Sequence, residues 1–189
     1  MRVIAGRARG RRLRVPDLAG LRPTSDRARE TLFSILTPIL EEAHVLDLFA
    51  GCGALGLEAV SRGARRATFV ERHRKAVATL RANITSCQLE AECAVIAADY
   101  RAALRRLDTN RDSFDLVFAD PPYDSGRGME CLELLRAHDL VATGAHVVLE
   151  QRRDEGAEPP QPWSVIRTIE VGGTVFLICI CIEPGGAPC

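Results

Sequence analysis

The sequence predicts an α/β fold: a mostly parallel sheet covered by helices on both faces, behind a short basic N-terminal extension. Three observations predict it. From His44 onward, short apolar runs alternate with stretches whose apolar residues recur every three or four positions, the signature of successive strand–helix units. At 189 residues the chain is most simply one domain, long enough to bury one substantial core. The chain closes on two β-rich runs joined by Gly172-Gly173, a hairpin that makes one edge strand antiparallel.

Taken in order, residues 2–15 alternate enough for short strands turning at Gly6 and Gly10. In "RPTSDRARETLFSIL", Thr24 or Ser25 can cap a helix whose apolar stripe is Ala28, Leu32, Phe33 and Ile35. "HVLDLF" is a buried strand, followed by the helix "ALGLEAVSRG" closed by Gly63. "ATFVE" and "CAVIAAD" are strands on either side of the helix "HRKAVATLRANITS". The short helix "YRAALRRL" leads to the strand "FDLVFAD", and the helix "GMECLELLRAH" to the strand "AHVVLEQ". "EGAEPPQP" is a loop before the hairpin, and "EPGGAPC" is a tail. The expected boundaries are 1–22 for the extension, 23–183 for the α/β domain and 184–189 for the tail.

Composition excludes several classes. A hydrophobic content of 47% and a mean hydropathy of −0.01 describe an ordinary globular chain. No apolar run approaches the roughly 20 residues a membrane helix needs. "MRVIAGRARGRRLRV" lacks the apolar centre of a secretory signal, so the cytoplasm is the expected compartment and a monomer the default state. The seven cysteines include no C-x-x-C pair and the four histidines are scattered, so reduced thiols and no metal are expected. The net charge of zero conceals a segregation. Residues 1–29 hold nine arginines against Asp17 and Asp26, which leaves that segment at +7 and the remainder at −7. Guanidinium groups suit phosphate, and Arg7, Arg9, Arg11, Arg12 and Arg14 are the candidate nucleic-acid contacts.

The stretch "VLDLFAGCGALGLEAV" places Gly51, Gly53 and Gly56 in a G-x-G-x-x-G between the first strand and its helix. That fingerprint signals a nucleotide without choosing which. Glu71, at the end of the second strand, can accept the hydroxyls of a ribose from either NAD or S-adenosylmethionine. Three features choose the latter. Asp47, just before the glycines, would repel a pyrophosphate and attract an ammonium and a sulfonium. Asp99-Tyr100 closes the third strand with an acid for an adenine amine and a ring to lie against the base. "FADPPYDS" puts Asp120, Pro121, Pro122 and Tyr123 at the end of the fourth strand. Hydride transfer would use a pair such as Tyr-x-x-x-Lys, yet the only tyrosines are Tyr100 and Tyr123 and the only lysine is Lys75.

"LDLFAGCGALGLEA" resembles motif I of the Rossmann-like S-adenosylmethionine-dependent methyltransferases, and "DPPY" resembles motif IV of their amino-methylating branch. With "MRVIAGRARGRRLRVP", "RPTSDRARETLF", "FDLVFADPPY" and "VVLEQ", the chain from Met1 to about Gln151 resembles the RsmD-like family of ribosomal-RNA guanine-N2 methyltransferases. The resemblance implies a Rossmann-like class I methyltransferase fold with a seven-stranded sheet, S-adenosylmethionine as cofactor, and small-subunit (16S) ribosomal RNA, naked or assembled, as partner. It also implies that Thr24 and Arg27 lie near the methionine end of the cofactor, although either can simply cap or solvate its helix. Cys52 departs from the small hydroxyl residue commoner at its position.

For such an enzyme the difficulty is that an exocyclic amine has its lone pair delocalised into the base. Acceptors placed on its two protons pull the nitrogen toward pyramidal geometry. Asp120 and the Pro121 carbonyl are the natural pair, because consecutive prolines fix the backbone and offer no competing N–H. Tyr123 can stack on the base, which must be flipped out or already exposed. Adenine N6 or cytosine N4 in DNA, or a protein glutamine, would present the same amine to the same acceptors. A non-enzymatic RNA-binding module is the remaining alternative. Glu150 ends the fifth strand with no role assigned.

Overall fold

The computed structural model describes residues 1–17, 24–109, 113–122, 126–152 and 158–182. Seven strands, β1 (His44–Asp47), β2 (Arg66–Val70), β3 (Cys93–Ile96), β4 (Phe114–Ala119), β5 (Val141–Arg152), β6 (Trp163–Val171) and β7 (Thr174–Cys181), form one sheet. Its order is β3-β2-β1-β4-β5-β7-β6. Five helices, α1 (Asp26–Leu36), α2 (Ala54–Ser61), α3 (Arg74–Cys87), α4 (Tyr100–Thr109) and α5 (Arg127–Ala137), cover it.

Alternation along the strands divides the core in two, because successive side chains leave a strand on opposite faces. Val45, Phe69, Leu116, Phe118 and Val148 meet apolar residues of α1, α2 and α3 on one face. Leu46, Val70, Val117, Val147 and Leu149 meet α4 and α5 on the other. Ser25 is the cap of α1, its Oγ accepting from the Ala28 N–H at 3.2 Å.

Two expectations need correction. The antiparallel strand is β7, as a closing hairpin requires, but β7 lies between β5 and β6 and not at the edge. Its composition explains the placement. Phe176 and Ile178 are buried in one core and Val175, Leu177 and Cys179 in the other, so β7 needs cover on both faces. In β6 only Trp163 and Ile169 are buried, and Ser164, Arg167 and Glu170 can face water at an edge.

The second correction concerns residues 2–15, which are not paired strands. They form a single antiparallel bridge, Arg2 to Arg12. Around it the Val3 N–H donates to the Arg11 carbonyl at 3.0 Å and the Leu13 N–H to the Met1 carbonyl at 3.1 Å, and side chains of the domain take further backbone donors. Glu58 on α2 accepts from the Ile4 and Ala5 N–H groups at 2.7 and 3.0 Å, and Ser61 Oγ accepts from the Ala8 N–H at 3.0 Å. Asn83 on α3 accepts from the Arg14 N–H at 2.8 Å and donates to the Arg14 carbonyl at 2.9 Å. Val3, Ala8 and Leu13 join the core beneath α1, α2 and α3. Gly6 has φ +79°, and a Cβ there would lie 1.7 Å from the Ser61 carbonyl oxygen, so only glycine lets the arm lie this close to α2. The expected extension boundary and the tail fall outside the described residues.

Candidate active site

The carboxyl ends of the parallel strands all open on one edge of the sheet, where α/β folds bind ligands. Reading the strand order across, that edge carries Asp99 after β3, Glu71 after β2, Asp47 ending β1, Asp120 after β4, and Glu150 in β5. The sheet order reverses between β1 and β4, so Asp47 and the glycine loop face Asp120 across the switch point.

The loop geometry shows which nucleotide the glycines suit. Gly51 and Gly53 adopt positive φ, +55° and +84°, and Gly53 caps α2. A Cβ on Gly56 would lie 2.3 Å from the Phe69 ring, which is why α2 needs glycine to pack on β2. Two of the N–H groups that could serve a pyrophosphate are taken by acids. Gly51 N–H donates to Glu71 Oε2 at 3.0 Å, and Gly56 N–H, an orphan donor of the first turn of α2, donates to Asp47 Oδ2 at 3.1 Å. Glu71 Oε1 also accepts from the His73 N–H at 2.7 Å, which fixes the carboxylate at the mouth of the loop.

Burial dominates the electrostatics. It pushes the Asp47 carboxyl up to about 7, with Glu71 adding to the rise and the Gly56 N–H opposing it. Asp120 is raised well above the ordinary carboxylate range, first by burial, then by the Glu150 and Asp47 charges. Adding a pyrophosphate to this cluster would add charge of the same sign. An ammonium and a sulfonium would offset it. The donor set therefore fits S-adenosylmethionine better than a pyrophosphate nucleotide.

The other anticipated residues divide. Asp99 heads α4, its Oδ1 accepting from the Arg101 N–H at 3.1 Å, with Arg72 at 3.9 Å. Tyr100 turns into the core: it is 4% exposed, donates its hydroxyl to Glu130 Oε2 at 2.7 Å and packs on Phe49 at 5.1 Å between centroids. Half-buried Phe49, two residues after β1, is the more open of these two rings. Pro121 is buried beside Asp120, whereas Tyr123 lies outside the described residues. Thr24 is buried and donates from Oγ1 to Glu150 Oε2 at 2.7 Å, joining the start of α1 to the acidic edge across 126 positions of sequence. Among the described residues no group of His, Cys, Asp and Glu is arranged to hold a metal ion, and no helix is long and apolar enough to cross a membrane.

The basic arm divides as well. Arg7 is engaged with Glu92 at 2.6 Å, and Arg11 reaches Gln88 at 3.4 Å. Arg29, counted with the arm's charge, is fully buried against Asp26 at 2.6 Å and Glu58 at 3.5 Å. Arg9, Arg12 and Arg14 remain exposed. Sequence reasoning missed Glu58, although an acid inside the otherwise apolar "ALGLEAVS" was a signal for a buried partner. It also missed Asn83, which looks like an ordinary polar residue of α3.

A sheet of this order, a glycine loop whose amides are given to carboxylates, and an Asp-Pro-Pro turn at the switch point define an S-adenosylmethionine-dependent methyltransferase of the Rossmann-like class. The family model described as "Conserved hypothetical protein 95" matches residues 1–180, and the chain belongs to that family, the RsmD family. It is 39% identical over 177 residues to "Ribosomal RNA small subunit methyltransferase D" of Escherichia coli strain K12, covering 93% of this chain and 87% of that protein. The protein of the same name from Haemophilus influenzae is 34% identical over 172 residues, covering 91% of this chain and 89% of its own. Among solved structures, the Escherichia coli protein yhhF, named as a methyltransferase, superposes with a TM-score of 0.83 at 36% identity, covering 96% of this chain and 97% of its own.

Proposed function

We propose that the chain transfers a methyl group from S-adenosylmethionine to the exocyclic N2 amine of a guanine in small-subunit ribosomal RNA. The observation that carries the reading is the position of Asp120, which ends β4 across the switch point from the glycine loop and is followed by two prolines. The relatives' names support ribosomal RNA as the acceptor.

S-adenosylmethionine supplies an electrophilic methyl group. Glu71 would accept the ribose hydroxyls, Asp99 and Phe49, with Tyr100 packed behind it, would border the adenine, and Asp47 would face the cationic end. Gly51 and Gly53 provide close backbone, and Thr24 sets the wall beside Glu150. Asp120 and the Pro121 carbonyl accept the two amine protons while Tyr123 stacks on the guanine. The amine nitrogen would form the new bond as the sulfur–methyl bond breaks, the electron pair staying on sulfur, and the extra proton of the cationic nitrogen would then pass to Asp120 or to water. Orientation and electrostatics supply the rate, and Asp120 need not remove the proton first. The exposed arginines hold phosphates around the target without reading sequence. The enzyme works as a monomer in the cytoplasm, its domain spanning 23–183 behind the arm.

The test is methylation of unmodified small-subunit RNA and of assembled small subunits with labelled S-adenosylmethionine, followed by nucleoside mass spectrometry. N2-methylguanosine supports the reading. Methyladenosine, methylcytidine, or label found only on DNA or protein would overturn the acceptor.

A further inference from the structure

Beside the glycine loop, but not part of it, the arm and α3 enclose a surface cavity of about 400 Å³. This volume lies within the range of small-ligand sites, roughly 300–1,000 Å³. Arg12 and Arg14 line it from the arm, and Arg81, Thr85 and Ser86 from α3. Arg81 lies outside the basic N-terminal segment, and only the fold brings it to the other two.

We infer that this cavity binds the phosphodiester backbone of the RNA, at a point separate from the methyl-transfer cleft. The inference rests on the RNA reading above and adds the place of contact. Three exposed guanidinium groups converge here, and among the described residues none of them is in an ion pair. Elsewhere in the arm Arg7 is engaged with Glu92 and Arg11 with Gln88, and exposed Arg9 does not line the cavity. No carboxylate lines the cavity, so its positive charges repel one another until an anion enters. Guanidinium forks match phosphate oxygens, and the Thr85 and Ser86 hydroxyls add donors. No aromatic side chain lines the cavity, so it offers no platform for a base and suits backbone.

The floor sets the register. Asn83 is buried, bonded twice to the Arg14 backbone, and also donates from Nδ2 to the Cys52 carbonyl at 2.8 Å. One side chain therefore fixes the cavity to both the arm and the glycine loop. A strand held at Arg12, Arg14 and Arg81 is positioned relative to the bound methyl donor.

The experiment uses the full-length protein and an unmodified small-subunit RNA transcript. RNA binding is measured across a salt series, with methyl-transfer kinetics and S-adenosylmethionine binding in parallel. Arg81→Ala is compared with Arg167→Ala on the opposite edge of the sheet. Arg81 is exposed and outside any ion pair, and thermal unfolding verifies that each variant is folded. The expected result for Arg81→Ala is RNA affinity weaker by roughly fivefold, and a salt slope shallower by about 0.7–0.9, the share of one phosphate contact. The RNA KM rises with kcat and cofactor affinity near wild type, and Arg81→Lys recovers part of the loss. An Arg81→Ala protein that matches Arg167→Ala in affinity and slope overturns the site. If it does so while N2-methylguanosine still forms, the cavity fails and the function stands. Loss of binding on Arg81→Ala in a protein that methylates no guanine supports the cavity and overturns the function.

Discussion

Replacing Glu58 by Ala should cost more stability than its place on an apolar helix suggests. Both carboxylate oxygens are buried and each serves more than one partner. Oε1 accepts from the Ala5 N–H at 3.0 Å and from Arg62 Nε at 2.7 Å; Oε2 accepts from the Ile4 N–H at 2.7 Å and lies 3.5 Å from Arg29 Nη1. The Arg29 side chain is 0% exposed, so loss of Glu58 leaves a buried cation with only Asp26 and the Arg2 carbonyl. Breaking a buried pair by removing one partner costs about 3–5 kcal/mol. The two stranded arm amides contribute to the same loss and cannot be added in full, because they depend on the same carboxylate. For a chain of this size each kcal/mol moves the melting temperature by about 2–4 °C, so Tm should fall by about 6–20 °C. Calorimetry reads the shift, and amide exchange should show Ile4 and Ala5 losing protection while β1 and β4 keep theirs. Adding Arg29→Met should recover part of the loss, since the unpaired charge is then gone. A Glu58→Ala protein within about 1 kcal/mol of wild type would refute the argument.

Further outcomes are expected at the site itself. Asp120→Ala should remove nearly all methyl transfer while leaving S-adenosylmethionine binding close to intact; an active variant, read by label incorporation, would disprove amine activation by this carboxylate. Asp47→Asn tests linkage. With its folded pKa raised to about 7 from 3.8, Asp47 holds more protons folded than unfolded across that window, so its contribution to stability is present at acid pH and lost as pH rises through about 7. The Asn variant should therefore be more stable than wild type at pH 8, on the order of a few kcal/mol, while binding the cofactor at least about tenfold more weakly; parallel stability–pH curves would contradict this. Burial and the Glu150 and Asp47 charges raise the Asp120 pKa, so methyl transfer should rise with pH as Asp120 ionises, and Glu150→Gln should move the midpoint to lower pH in a pH–rate series. Gly56→Ala must push α2 away from Phe69, 2.3 Å from the added Cβ, at a cost of about 1–3 kcal/mol measured by denaturant unfolding.

The sequence by itself determined a great deal here, because the information is local. Strand and helix periods, the glycines, and an acid at the end of each strand are fixed by neighbours in the chain, and those placed Asp47, Glu71, Asp99 and Asp120 on one edge of the sheet. The cationic character of the ligand also followed, since Asp47 lies only a few residues from Gly51. What tertiary structure decided involves residues far apart in sequence. Arg81 is an ordinary surface arginine until α3 meets the arm, and Thr24 is a helix-cap candidate until it meets Glu150. Tyr100 closes a strand in the sequence, and only the fold gives its hydroxyl a partner in Glu130 and its ring a neighbour in Phe49. The period of two in residues 2–15 was real, since Val3 and Leu13 are buried, and the arm pairs with itself at the Arg2–Arg12 bridge, yet Glu58, Ser61 and Asn83 take the other backbone donors. Likewise a hairpin predicts that one of its strands is antiparallel but not which one pairs with β5; burial on both faces chose β7. Hydrophobic period reports which side of an element faces inward, and only the packed fold determines what it meets there.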